Sequence, residues 1–277
     1  MNLPRASDVP VTRGEVRGAL NYLVPGREKP VTYMYVQPSG ASTRTGQYRP
    51  YNVSIRNARE VIGKLSLDSQ GFVLRDHVST VRDFSNDDEV RERYYPEIER
   101  LVRKETGAAR AFMFDHTIRS VAWSDRGARE PVRIVHNDYT PISGPQRVRD
   151  LLDSQEAEQR LRRRFAVINV WRPIVEVVRD TPLAICDAGS MVPGDFVATE
   201  MRYRDRTGET YSIGYNPNHR WYYVPNMRRD EVLIFKCFDS TDDGRTRYGA
   251  HSAFDDPTAA SATPERESIE ARLLVFF

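Results

Sequence analysis

The chain has 277 residues, 39 % of them hydrophobic and 29 % charged, a length and composition that suit one all-β barrel with added elements. Acids and bases nearly cancel at a net charge of +2, which gives no reason to expect nucleic acid or a membrane surface as a partner. No run approaches the roughly 18 apolar residues of a membrane span, and the opening MNLPRASDVPVTRGEV carries no signal-like apolar stretch. Cys186 and Cys237 lie in apolar segments and make no disulfide framework. A cytoplasmic, reducing compartment is therefore expected.

Residues 1–16 are polar and read as a loose arm. The alternating PVTYMYVQ, 30–37, reads as a strand, and the turn-rich 38–51 as a long loop or lid. Short strands follow at 52–57 and 71–74. Ser85 and the acids after it open a helix, where they suit the N-terminal dipole. Val90, Tyr94, Ile98, Leu101 and Val102 form its apolar stripe, and Gly107 ends it. Strands are expected at 110–116, 118–123 and 131–136. A second helix follows Gly144 and Pro145, carries Val148, Leu151, Leu152 and Leu161 on one side, and closes on a basic run that reads as a solvated end.

From 165 onward the chain is a succession of strands: FAVINVW, PLAICDA, DFVATEMRY, TYSIGY, RWYYVP, EVLIFKCF, HSAF and SIEARLLVFF. Turns such as RTGE and PNH separate them. The fold class predicted is mostly β with flanking helices, a double-stranded β-helix or cupin-like jelly roll. One oxygenase-sized domain is expected over 1–277, with 1–70 as an extension or lid and the core barrel over about 110–277.

The informative piece is His136-Asn137-Asp138. Alternate side chains on a strand share a face, so His136 and Asp138 point the same way while Asn137 points away. A distant third ligand would complete a facial triad. Two histidines and one carboxylate leave room on an iron(II) ion for a bidentate keto acid and dioxygen. The chain has five histidines. His77 and His116 precede the pair and His219 sits in a turn, whereas His251 follows several strands, the order HxD, strands, His, Arg usual for such enzymes.

On the last strand Arg266, Ser268, Glu270 and Arg272 alternate onto one face. A guanidinium deep in a barrel is costly unless paired, and the carboxylates of 2-oxoglutarate would pair it bidentately. Arg266 with Ser268 suits the distal carboxylate. Arg272 suits the carboxylate near iron, or a structural pair.

The stretches HNDYT, INVWRP, PLAICDA, HRWYYVPNMRRDEVLIFKCFDS, HSAF and ERESIEARLLVFF together resemble the AsaB-like hydroxylase/desaturase family, which includes relatives of the cephamycin methoxylation accessory protein and of gibberellin desaturase. The resemblance covers roughly 72–277. It implies Fe(II), 2-oxoglutarate and dioxygen, a small specialised metabolite as substrate, the metal role for His136, Asp138 and His251, and the co-substrate role for Arg266 with Ser268. The Arg266/Arg272 spacing is also similar to that of the AlkB-type nucleic-acid demethylases, a convergence, since no basic face accompanies it.

Asn169 and Trp171 share a face of INVWRP and are candidates to line the substrate pocket, with core packing as the alternative for Trp171. Arg172 is a candidate for a substrate acid, and Tyr222 for a hydrogen bond in the pocket. Lys236 interrupts an apolar strand and is expected at a strand edge with its amine in solvent. Two other functions fit the same residues: a metal cupin that needs no keto acid, and an inactive barrel serving as an accessory binding protein. Oligomeric state is open.

Overall fold

The computed structural model describes residues 14–35, 42–121, 123, 128–260 and 263–277. Residues 1–13 of the expected arm, 36–37 of the expected strand and 38–41 of the expected lid lie outside the described residues. The larger sheet has nine strands, in the order β1 (Glu15–Leu23), β3 (Tyr48–Asn57), β12 (Trp221–Tyr223), β9 (Leu183–Cys186), β15 (His251–Ala253), β6 (His136–Asn137), β11 (Thr207–Ile213), β10 (Phe196–Arg202) and β2 (Val31–Tyr33). The smaller has five: β4 (Phe72–Asp76), β14 (Glu231–Asp239), β7 (Phe165–Pro173), β16 (Ser268–Phe276) and β5 (Arg110–Arg119). β8 (Val177–Val178) pairs with β13 (Met227–Arg228) in a small ribbon. The two large sheets meet through their side chains. Phe72 and Tyr222 lie 5.9 Å apart, and Phe235 packs 4.8 Å from the His251 ring. This is the double-stranded β-helix, or jelly roll, that the strand series predicts.

All nine residues of β7 and all nine of β14 are buried. One face of these central strands looks into the barrel and the other is covered by helix, so they read as near-continuous apolar runs instead of alternating ones. The cover comprises α1 (Asp87–Glu89), a widened π turn (Val90–Tyr94) and α2 (Tyr95–Thr106). Val90, Tyr94, Ile98 and Val102 are fully buried. Their spacing of four drifts round a 3.6-residue helix, and the π turn takes up part of that drift. Gly107 at φ +70° closes α2 in the left-handed conformation that glycine tolerates best.

The second expected helix is two. α3 (Ser143–Leu151) and α4 (Ser154–Leu161) break at Asp153, whose carboxylate accepts the Glu156 amide as a cap. The expected strands at 110–116 and 118–123 are one strand, β5, that ends at Arg119. Of the expected strand at 131–136 only His136 lies in a strand, β6, with Ile134 making an isolated bridge to Asn21. Two corrections concern the N-terminal region. The strand Glu15–Leu23 begins inside the expected arm, 1–16, and it pairs over its whole length with β3, which reaches back into the expected lid. The signal was present: Val16, Gly18, Leu20 and Tyr22 are buried while Glu15, Arg17 and Ala19 are exposed, the period of a one-sided strand. Among the described residues no helix is long and apolar enough to cross a membrane.

Lys236 also departs from expectation. β14 is an inner strand, and the Lys236 side chain is 2 % exposed. Its Nζ donates to Asp239 at 2.9 Å and to Asp68 at 2.8 Å, and Arg164 clasps Asp239 from the other side. Removing one partner of a buried pair leaves an uncompensated charge. Lys236→Ala is expected to lower stability by about 3–5 kcal/mol in urea unfolding. A loss below about 1 kcal/mol would mean that Asp239 is held by Arg164 alone.

Candidate metal centre and its cleft

β6 and β15 are neighbours in the larger sheet, and His136 stands directly opposite His251 in their register. Opposed residues on an antiparallel pair hold their side chains against each other. The two imidazole centroids accordingly lie 4.3 Å apart. Asp138, two residues past His136, returns to the same side. One ligand atom from each of the three lies within 4.8 Å of the others, a group that could hold a metal ion. Asn137 points away. Its Nδ2 donates to the carbonyls of Tyr139 and Cys237, at 2.7 and 3.0 Å. The Cys237 carbonyl is available because a bulge in β14 between Lys236 and Phe238 takes it out of the ladder.

The donor set is prepared for a cation. His136 Nδ1 donates to the Ile134 carbonyl at 2.8 Å, which fixes the tautomer and leaves Nε2 as a lone-pair donor. Both Nε2 atoms face Asp138 Oδ1, at 3.5 Å from His136 and 3.9 Å from His251. Asn169 Nδ2 donates at 2.8 Å to the other carboxylate oxygen, Oδ2. Burial, reinforced by the neighbouring His136, Arg119 and Arg272, pushes the His251 imidazole down to about 3, so it is neutral at any physiological pH. Burial alone would raise the Asp138 carboxyl. The two imidazoles, Arg272 and the Asn169 amide outweigh it and hold the acid ionised, at about 2.

Arg266 is 4 % exposed. It lies 4.9 Å over the Trp171 ring, donates from Nε to Ser268 Oγ at 3.0 Å and from an Nη to the Thr181 carbonyl at 2.9 Å. Both partners are neutral, and Arg266 makes no ion pair among the described residues. Burial, with Arg119 nearby, pushes this guanidinium down to about 9, against the pull of Glu270. Thr181 has φ +48°, a rare conformation for a β-branched residue. Its carbonyl is thereby turned onto Arg266.

Arg272 differs. Its Nε donates to Asp115 at 2.7 Å, and an Nη is bonded to Thr117. Trp171 is buried beneath Arg266. Asn169 is fully buried, bonded to the candidate ligand Asp138, and is not on the walls of the open cleft. Arg172 departs from expectation, because it projects from the other face of β7. There it bonds the His77 carbonyl and sits over Phe84 and Tyr94, away from the centre. Tyr222 packs on Phe72.

A cleft of about 530 Å³ opens from His136 and Asp138 between α3, β10 and β11. Tyr139, Arg119, Arg147, Arg272, Met201 and Tyr203 are on its walls. Arg119, Tyr139 and Arg147 escaped the sequence reading. Arg119 carried a signal, since it alternates with Asp115 and Thr117 along β5. The cleft is of mixed polarity and has the candidate ligands His136 and Asp138 on its wall, an arrangement suited to bringing a small molecule against a metal.

Residues 20–276 match the family model described as an oxidoreductase/YMDC permease-like domain. The chain is 34 % identical over 261 residues to the hydroxylase/desaturase efuI of Hormonema carpetanum, covering 85 % of this chain and 86 % of that protein. It is 40 % identical over 144 residues to the hydroxylase/desaturase asaB of Aspergillus flavus, covering 47 % and 63 %. The solved structure of the iron and alpha-ketoglutarate-dependent endoperoxidase NvfI superposes with a TM-score of 0.87 at 27 % identity, covering 96 % of this chain and 99 % of that one. The chain belongs to the oxidoreductase family that contains these hydroxylases, desaturases and iron-dependent dioxygenases.

Proposed function

We propose that this protein is an Fe(II)- and 2-oxoglutarate-dependent oxygenase that oxidises C–H bonds of a small specialised metabolite. The observation that carries this reading is the opposed pair His136 and His251 closing on Asp138, together with a buried arginine, Arg266, that makes no ion pair among the described residues. His136 Nε2, His251 Nε2 and Asp138 Oδ1 would hold iron(II). Bound there, iron supplies the activation of dioxygen coupled to oxidative decarboxylation of 2-oxoglutarate. The remaining work belongs to the side chains. Arg266 receives the distal carboxylate of 2-oxoglutarate. Ser268 accepts from Arg266 Nε, which leaves its own hydroxyl proton free to donate to that carboxylate. Arg272, already tied to Asp115 and Thr117, contributes positive charge near Asp138 more than a free fork. Phe235 and Trp171 keep water from the inner end.

The whole chain acts as one oxygenase domain in this proposal. Its place is the cytoplasm, where a ferrous site and two unpaired buried cysteines suit a reducing medium. Anaerobic titration of the apo-protein with ferrous iron and then 2-oxoglutarate tests the reading through the weak visible charge-transfer band of the chelate. A band requiring both is expected. Iron binding without a band would favour a metal cupin that uses no keto acid, and no iron binding would leave a ligand-binding barrel.

Asn169 bears on the same reading. With its amide lost, Asp138 is free to turn. Partners of this kind contribute about 10–100-fold to metal affinity. Asn169→Ala is expected to weaken Co(II) binding, followed by its visible spectrum, within that range. Unchanged affinity would assign the Asn169 amide to packing alone.

A further inference from the structure

Among the arginines on the cleft walls, one packs on an aromatic ring with its Nε enclosed. Arg147, on α3, lines the cleft. Its guanidinium lies 5.6 Å from the centre of the Phe114 ring, and its Nε is enclosed without a hydrogen-bond partner. Among the described residues Arg147 makes no hydrogen bond and no ion pair. Phe114 reaches this position through a bulge. Arg272 opposes Asp115 and Leu273 opposes Met113, which leaves Phe114 between them without a partner in the ladder. Bulges beside active sites re-aim side chains in this way.

Three acids on or beside the cleft are engaged elsewhere. Glu209 is bound by Lys29 and by Thr140, both at 2.6 Å. Asp150 accepts from Gln146 at 2.8 Å, and Asp115 is held by Arg272. Arg147 therefore keeps its charge for something else. Tyr139, directly after the candidate ligand Asp138, is 6 % exposed and lines the same cleft. Its hydroxyl makes no hydrogen bond among the described residues. Arg147 and Tyr139 thus share one cleft.

We propose that Arg147 and Tyr139 form an anchor for a carboxylate on the substrate, so that this oxygenase acts on an organic acid. The inference rests on the oxygenase reading above and names its substrate class. One guanidinium and one hydroxyl neutralise and bond a single negative charge, which suits a carboxylate better than a phosphate dianion. The anchor lies on the cleft side of Asp138, whereas Arg266 lies buried over Trp171. Two carboxylates, one from substrate and one from co-substrate, thus have separate cations.

The test uses 4-(trifluoromethyl)benzoate and its methyl ester as probes, followed by fluorine NMR on full-length protein loaded with zinc and 2-oxoglutarate. The acid is expected to bind the wild type. Charge-assisted bonds are worth about a tenfold change in affinity or more. Arg147→Gln should weaken the acid at least about tenfold and Tyr139→Phe several-fold, with ester binding unchanged in both. No binding of the acid to wild type, equal binding of acid and ester, or full binding by Arg147→Gln would overturn the proposal. The iron and 2-oxoglutarate band is recorded on the same variants. If Arg147→Gln loses the band while keeping iron, the arginine serves the co-substrate and the anchor is refuted, whereas loss of the band in wild type refutes the oxygenase reading instead.

Discussion

His251→Ala abolishes iron binding: after anaerobic reconstitution and desalting, metal analysis is expected to find essentially none retained, with ferrous affinity lowered by well over the about 100-fold that loss of an outer partner can cost. The argument is geometric. His136 and Asp138 are two residues apart and supply neighbouring positions, and only the partner across β6 and β15 supplies the third. No other histidine can step in. His77 is committed to Arg172, His116 to Tyr95, and His219 to Asp195 and Tyr22. His251 is also buried, so alanine removes volume next to Phe235 and costs stability by itself. His251→Gln, of similar volume, separates the two effects. It should fold as wild type and still retain no iron. A full equivalent of iron in His251→Gln would dissolve the triad.

The pair His136 and Asp138 was legible because a strand has a period of two and needs no other information. The same rule, followed one residue further, separates Arg172 from Asn169 and Trp171: if those two face the barrel, Arg172 faces the helices. Asn169 was legible as facing inward but not as the holder of Asp138, since nothing in a sequence states that β7 lies within reach of the loop after β6. Arg272 shows the limit most clearly. Its face follows from alternation along β16, yet its partner Asp115 is fixed by the register of β16 against β5, a pairing across 157 positions with a bulge in it. Lys236 misled for a related reason. A lysine in an apolar run argues for an edge, and only the topology brings Asp68 and Asp239 to it on an inner strand.

The largest effect on the co-substrate is expected at Arg266. Arg266→Gln should raise the 2-oxoglutarate requirement about 10–100-fold, the worth of a charge-assisted bond, while iron binding stays intact. A purely structural arginine would show a second effect of predictable sign, a loss of stability, because its partners would be left unsatisfied. Arg266 should behave in the opposite sense. Its bonds go to a hydroxyl and a carbonyl, burial already works against its charge, and Thr181 holds a left-handed backbone to reach it. Replacing the cation by a neutral amide removes that desolvation cost. In the absence of 2-oxoglutarate, Arg266→Gln is therefore expected to unfold at the same temperature as wild type or a few degrees higher. Saturating 2-oxoglutarate should reverse the order, since ligand stabilises the protein in proportion to its affinity. Arg272→Gln gives the contrast: it strips Asp115 and Thr117 of their partner and should melt lower with or without 2-oxoglutarate. A lower melting temperature for Arg266→Gln without co-substrate, with an unchanged 2-oxoglutarate requirement, would make Arg266 a structural residue and would move the carboxylate to an arginine on the cleft wall, Arg119 first.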